Sequence, residues 1–364
     1  MTEYRKCYKC YRNLVTIQNF KERKLDASTY TITHKEHIIQ NALGGFLQSS
    51  EILCKSCGGI LNEEVDVKFI KTFVNICNSL EINLDRETRN PAFVTGTYQL
   101  YGKDENIDAR FYKNIWKPYK NSYLIDAENN QITLFLADKN SKSHLLKIVR
   151  ADKAFNEDYD IVDVLDLSSV EGGLKIPFNL ENNSFKKGLA KISTGFACSK
   201  NIDRNKLNCI FDEGNFKDQL IFFPLLQNEF LKQFEVSFSA EFSPYHLLYL
   251  FNVEVENTNN LICYVDLFST FKGFMLLGVD FNGDVNEFYS RNLLNNKILC
   301  KFKNLDFVDN YKAQLRSSFE EICRKVNDPY QKSVYMQSVK KSNHEYFYRL
   351  MMYISLLNME RNFE

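Results

Sequence analysis

Two Cys-x-x-Cys pairs, "CYKC" at Cys7 and Cys10 and "CKSC" at Cys54 and Cys57, constrain this 364-residue chain more than any other feature. A two-residue spacer lets both thiolates of a pair reach one ion, at about 2.3 Å for zinc. Two such pairs complete a tetrahedral four-sulfur site with no open position, tying residue 7 to residue 57. A site of that kind is structural. A thioredoxin-like redox role would need a single pair inside a βαβ unit, and neither pair has that setting.

The chemistry lies between the pairs. "STYTIT" (28–33) alternates apolar and polar residues and reads as a strand leading to Glu36-His37. "NALGG" supplies a turn in which Gly44 and Gly45 can take positive φ. "SEILC" (50–54) reads as the returning strand. From Cys57 a helix follows, with Leu61, Val65 and Phe69 as its buried stripe and Gly58, Asn62 and Asp66 stacked on a neighbouring face. Strand, turn, strand and helix then set one carboxylate–histidine pair opposite a polar helix face. A neutral imidazole can take a proton from water, and carboxylates supply the hard oxygens that Mg²⁺ prefers.

This pattern, CxxC, then "EHIIQNALGG", then "ILCKSC" and a helix carrying Asp66, resembles the HNH endonucleases, in particular the subgroup whose ββα-metal fold is braced by a four-cysteine zinc. The resemblance covers residues 7 to about 70. It implies phosphodiester hydrolysis with one divalent cation, Mg²⁺ or Mn²⁺, beside a structural Zn²⁺. His37 falls where the family keeps its general base, and Glu36 where it keeps a metal-binding acid. Asn62 and Asp66 are the candidate helix donors to the same ion. The sequence departs from the family at two places. Gly58 stands where an Asn or His usually follows the second CxxC, and "QSSE" (48–51) stands where the family has the Asn that orients the catalytic histidine, so Ser50 or Glu51 must substitute. His34 reads as an exposed or supporting residue. His144, His246 and His344 lack acidic or cysteine neighbours in sequence and read as ordinary.

The rest of the chain is different in kind. Short β-branched and aromatic runs, among them "TGTYQLYG" (95–102), "NSYLI" and "QITLFLA" across "DAENN" (121–137), "LICYVDLF" (261–268) and "FMLLGVDF" (274–281), predict strands. "YKAQLRSSFEEICRKV" (311–326) and a segment from Asn343 predict helices. The fold class expected is α+β: a small ββα-metal module at 1–75, then a larger mixed body at 80–364 with a seam near 180. Cys77, Cys198, Cys209, Cys263, Cys300 and Cys323 sit singly among apolar residues and read as small buried hydrophobes.

Hydrophobic residues make up 44% of the chain and net charge is zero, so a folded core is expected and no whole-protein field drives it onto nucleic acid or membrane. Contacts to nucleic acid must come from local patches. "ARFYKNIWKPYKNSY" (109–123) interleaves Arg110, Lys113 and Lys117 with Trp116 and other aromatics, a pattern suited to phosphates and bases, and Lys55 lies between the second pair of cysteines. With no bilayer-length apolar run and no signal-like amino terminus, the expected setting is cytoplasmic. The expected partner is double-stranded DNA, with restriction or phage defence as an analogy and homo-oligomerisation through the C-terminal region as a further expectation. The rival reading is a zinc-braced module that binds nucleic acid without cutting it.

Overall fold

The protein, seen in a computed structural model, is described over residues 5–80, 82, 94–102, 105–112, 115–175, 182–225, 244–294, 305–341 and 349–350. The chain divides into two compact units: residues 1–87 with 180–357, and residues 88–179 with 358–364. The amino-terminal module, read as ending near 75, shares one unit with the later body.

That module begins with β1 (Asn13–Val15), which pairs in parallel with β2 (Tyr30–Ile32). Helix α1 (Ile17–Glu22) lies between them, its first turn capped by the Thr16 hydroxyl, which accepts from the Asn19 N–H at 3.2 Å. Next comes the two-stranded ribbon of β3 (Glu36–His37) and β4 (Gln48–Ser49), antiparallel, with His37 opposite Gln48. The turn joining them needs glycine twice. Gly44 has φ +82°, and a Cβ on Gly45 would fall 1.9 Å from the Ile39 carbonyl oxygen.

The sequence places the returning strand at 50–54, but pairing stops at Ser49. The reason is competition for backbone: the Ile52 carbonyl accepts from the Tyr8 N–H and the Leu53 carbonyl from the His34 N–H, so this stretch stitches the first cysteine knuckle to the strand before the ribbon. Helix α2 (Lys55–Leu61) follows, with the Cys54 sulfur accepting from the Cys57 N–H at its start. A π-helical turn, Asn62–Asp66, leads into α3 (Val67–Ser79), and its wide loop closes with the Val67 N–H on the Asn62 carbonyl. Leu61, Val65 and Phe69 form the buried stripe read from the sequence. The face of Gly58, Asn62 and Asp66 does not survive. Gly58 and Asp66 are buried while Asn62 is solvent-exposed, and the π turn between Asn62 and Asp66 offsets those two from the α-helical spacing.

The second unit holds two small sheets. The first is antiparallel, built from β5 (Val94–Leu100), β6 (Asn106–Tyr112), β7 (Ile115–Pro118) and a later strand in the order β11-β5-β6-β7. The second contains the hairpin read at 121–137, as β8 (Ser122–Asp126) and β9 (Gln131–Phe135). Helix α4 (Lys142–Arg150) then leads to β10 (Asp160–Val164), which pairs in parallel with β9, and β11 (Gly172–Lys175) completes the first sheet.

In the first unit the chain resumes with α5 (Asn183–Ser199), capped by the Asn182 side chain on the Ser184 N–H at 2.8 Å. One short two-stranded ribbon, β12 (Phe211–Asp212) with β13 (Asn215–Phe216), precedes a five-stranded antiparallel sheet. Its strands are β14 (Phe222–Pro224), β15 (Tyr245–Val255), β16 (Thr258–Leu267), β17 (Phe271–Gly278) and β18 (Asn286–Asn292), in the order β14-β17-β16-β15-β18. One face packs on the helix Leu305–Val326, where Tyr311, Leu315, Phe319 and Ile322 are buried as the sequence spacing requires. The helix read from Asn343 lies almost wholly outside the described residues. Of the single cysteines, Cys77 and Cys263 are buried, Cys198, Cys209 and Cys323 are half-buried, and Cys300 lies outside the described residues.

Phenylalanines weld the module to this body. The Phe73 ring lies 5.1 Å from Phe69, 5.4 Å from Phe268 and 5.0 Å from Phe271, centroid to centroid. Helix α5 comes close enough to α3 that a Cβ at Gly188 would meet the Phe69 ring at 2.0 Å. The glycine turn is held separately by His246 on β15. This buried imidazole donates from Nε2 to the Leu43 carbonyl at 2.8 Å and accepts the Phe268 N–H at Nδ1. Accepting at Nδ1 while donating from Nε2 requires the neutral ring.

Burial pushes the His246 imidazole from its ordinary 6.5 down to about 4, while the bond to Leu43 pulls weakly the other way. A depressed folded-state value contributes stability in full above pH 6.5, and that contribution fades as pH falls towards 4. Between pH 7 and pH 4, urea denaturation should show wild type losing about 3 kcal/mol more than His246→Gln. Equal losses in the two proteins would contradict this.

Candidate metal centre and active site

The four cysteines meet as the spacing demands, with their sulfurs all within 4.8 Å of one another. Sγ of Cys10 and Sγ of Cys54 are 3.9 Å apart. Two sulfurs each 2.3 Å from one tetrahedral ion stand about 3.8 Å apart, so the set fits a single metal ion. Donors surround it: the Arg12 Nε–H points at the Cys10 sulfur at 3.4 Å, and the Cys54 N–H at the Cys7 sulfur at 3.5 Å. These partners favour thiolate over thiol. The knuckle is braced from the body by Arg204, which donates to the Tyr8 and Lys9 carbonyls and lies 4.4 Å from the Tyr11 ring.

A second centre lies where β3 ends. His37 and Gln48 face each other across the ribbon, and the Gln48 amide bonds Nε2 of the imidazole. An amide can offer either N–H or carbonyl to a ring nitrogen, so this contact holds the ring in either neutral tautomer. Ser50 and Glu51, the substitutes read from the sequence, are elsewhere. The Ser50 carbonyl accepts from the Thr33 hydroxyl, and Glu51 is 3.7 Å from the Arg5 guanidinium. The Gln48 contact is set by strand register, which spacing from a motif residue does not reveal.

Glu36, which precedes the histidine on β3, joins a cluster of buried charge. Lys191 of α5, 3% exposed, places Nζ 2.7 Å from Oε1 of Glu36 and also contacts Oδ2 of Asp66. The Gln40 amide donates to Oδ1 of Asp66 at 2.7 Å. Both Asp66 oxygens are therefore engaged within the protein. The other Glu36 oxygen, Oε2, turns outward to His34 Nε2 at 3.4 Å. Tyr8 lies close by, its phenol pushed well above the ordinary tyrosine range by burial first and then by the charges of Glu36 and Asp66. The sequence offers Lys191 with Lys186 and Lys187 as a basic group on a helix, and does not assign it to this cluster, 125 residues from Asp66.

Lys55, at the start of α2, is exposed. The residues read as a basic and aromatic patch lie on the second unit. There Trp116 packs against the core of Tyr98, Ile107 and Phe135, Arg110 donates to the Ala137 carbonyl at 3.3 Å, and Lys117 pairs with Arg110 across β6 and β7. Lys113 lies outside the described residues.

These geometries can now be set beside known proteins. Residues 25–74 match the HNH endonuclease family. The matched segment runs from just before β2 into α3 and contains the ribbon, Glu36, His37, Gln48 and the second cysteine pair. No curated protein and no solved structure is detectably similar to the chain. The HNH domain implies a nucleic-acid substrate and a divalent metal. Among the described residues no helix is long and apolar enough to cross a membrane.

Two outcomes follow from this geometry. Cys54→Ser should lose the bound ion by elemental analysis and melt at a lower temperature, because metal binding is folding energy in such sites; a metal-free chain with unchanged melting would sink the structural role. Lys191→Met strands two buried carboxylates and should cost about 3–5 kcal/mol of stability in urea denaturation. A loss below about 1 kcal/mol would mean that the ammonium does not hold the pair.

Proposed function

We propose that this protein is a metal-dependent endonuclease that hydrolyses phosphodiester bonds in DNA, with a structural zinc on Cys7, Cys10, Cys54 and Cys57. The observation that carries the reading is the Gln48–His37 contact next to a Glu36 oxygen turned away from the buried charge cluster. Glu36 Oε2 is a hard donor suited to Mg²⁺ or Mn²⁺. When bound there, the divalent cation neutralises charge on the phosphate and the departing 3′ oxygen.

His37 is the general base. In the reacting form the Gln48 carbonyl accepts from Nε2–H, so Nδ1 carries the lone pair that takes the proton of the attacking water. Gln48 is a positioning residue. Lys191 supplies a fixed positive charge that holds the Glu36 carboxylate in place, and Asp66 with Gln40 anchors Lys191 in turn. On this reading Asp66 acts through Lys191 and not as an ion ligand, and Asn62 leaves the ligand set because the π turn carries it to solvent. The remaining residues serve target choice. A non-cutting binder is the second reading, favoured by Gly58, which offers no side-chain donor where the family has one.

Plasmid incubated with the protein and Mg²⁺ or Mn²⁺, with and without EDTA, separates the two: EDTA-sensitive cutting supports the nuclease, and retarded but intact DNA supports the binder. His37→Ala should lower cleavage by about 10²- to 10⁴-fold while zinc content and melting temperature stay unchanged. Cutting by that variant at the wild-type rate would remove His37 from the chemistry.

A further inference from the structure

Glu36 divides its two oxygens between different neighbours. Oε1 is committed to Lys191, and Oε2 stands 3.4 Å from Nε2 of His34. The His34 side chain is 42% exposed, so this oxygen–nitrogen edge is the outward side of the cluster. Its backbone is fixed, the His34 N–H donating to the Leu53 carbonyl at 3.1 Å. The ring has room because residue 58 is glycine: a Cβ there would stand 3.0 Å from His34 Cδ2 and 3.5 Å from its Nε2. The imidazole thus occupies the space that a side chain on the first turn of α2 would need.

We propose that His34 is a ligand, through Nε2, of the same cation that Glu36 holds, and that the nitrogen donor shifts the site from Mg²⁺ towards Mn²⁺ and later first-row ions. The inference rests on the reading of Glu36 as a cation ligand. Its support is geometric. Two donors each about 2.1 Å from one ion at a right angle are about 3 Å apart, close to the spacing of this pair. A tight charge-assisted hydrogen bond would bring N and O to about 2.7–2.9 Å, and the pair is more open than that. Imidazole suits first-row transition ions better than Mg²⁺, whose preferred donors are all oxygen. Two protein donors leave the other coordination positions to phosphate and water.

The test uses the zinc-loaded full chain without DNA. Mn²⁺ binding is followed by calorimetry, and directly bound nitrogen by pulsed electron paramagnetic resonance. Wild type and His37→Ala should bind one Mn²⁺ with a nitrogen signal. His34→Ala should lose that signal and weaken binding by more than about tenfold. The double variant His34→Ala, Gly58→Asn should regain affinity through an amide oxygen while the nitrogen signal stays absent. His34→Ala that binds Mn²⁺ as wild type does, while Glu36→Gln does not, would overturn the role of His34 and leave that of Glu36 intact. If wild type binds no second ion, or Glu36→Gln binds it equally well, both readings fall. Unchanged zinc content in each variant shows that the fold is retained.

Discussion

One ammonium group between two buried carboxylates organises this protein. Glu36 comes from the short ribbon, Asp66 from the π turn, and Lys191 from a helix that begins more than a hundred residues later. Removing three charges from water is expensive, and their attraction offsets that cost only while the geometry holds. Every contact that fixes the three elements therefore bears on the site: the phenylalanine cluster between α3 and the start of β17, the close approach of α5 at Gly188, and the Gln40 amide on Asp66. The metal knuckle holds the other end of the same framework, with Arg204 fastening it to the body through backbone carbonyls.

Charge balance also bears on metal use. Two carboxylates and one lysine leave a single negative charge, with one Glu36 oxygen turned outward. A pair of unneutralised carboxylates would attract cations without selectivity and would repel each other when the site was empty. The internal lysine removes both problems and leaves one Glu36 oxygen on the outward edge.

Much of the module was legible because its signals are local. Two cysteine spacings specify one ion, a double glycine specifies a turn, and Leu61, Val65 and Phe69 specify a buried stripe. What the sequence concealed depends on register and on distance along the chain. Gln48 faces His37 because β3 and β4 pair at that register, whereas the family pattern pointed to Ser50 or Glu51. Asn62 and Asp66 share a face under a 3.6-residue period, but one widened turn sends the first to solvent and the second inward. Lys191 sits in a run that reads as an amphipathic helix with scattered lysines, and nothing local separates it from Lys186 or Lys187. In the second unit the hairpin was plain, and the half-buried Trp116 of β7 packs against the core beside its own sheet.

The sequence gap between Lys191 and Asp66 bears on biosynthesis. A ribosome releases the cysteine knuckles, the ribbon and Asp66 well before it reaches α5, 125 residues downstream. Until that helix emerges, Glu36 and Asp66 lack their internal counter-charge and α3 lacks a partner for its phenylalanines. Vectorial synthesis thus makes completion of the amino-terminal centre one of the later events in the maturation of the chain.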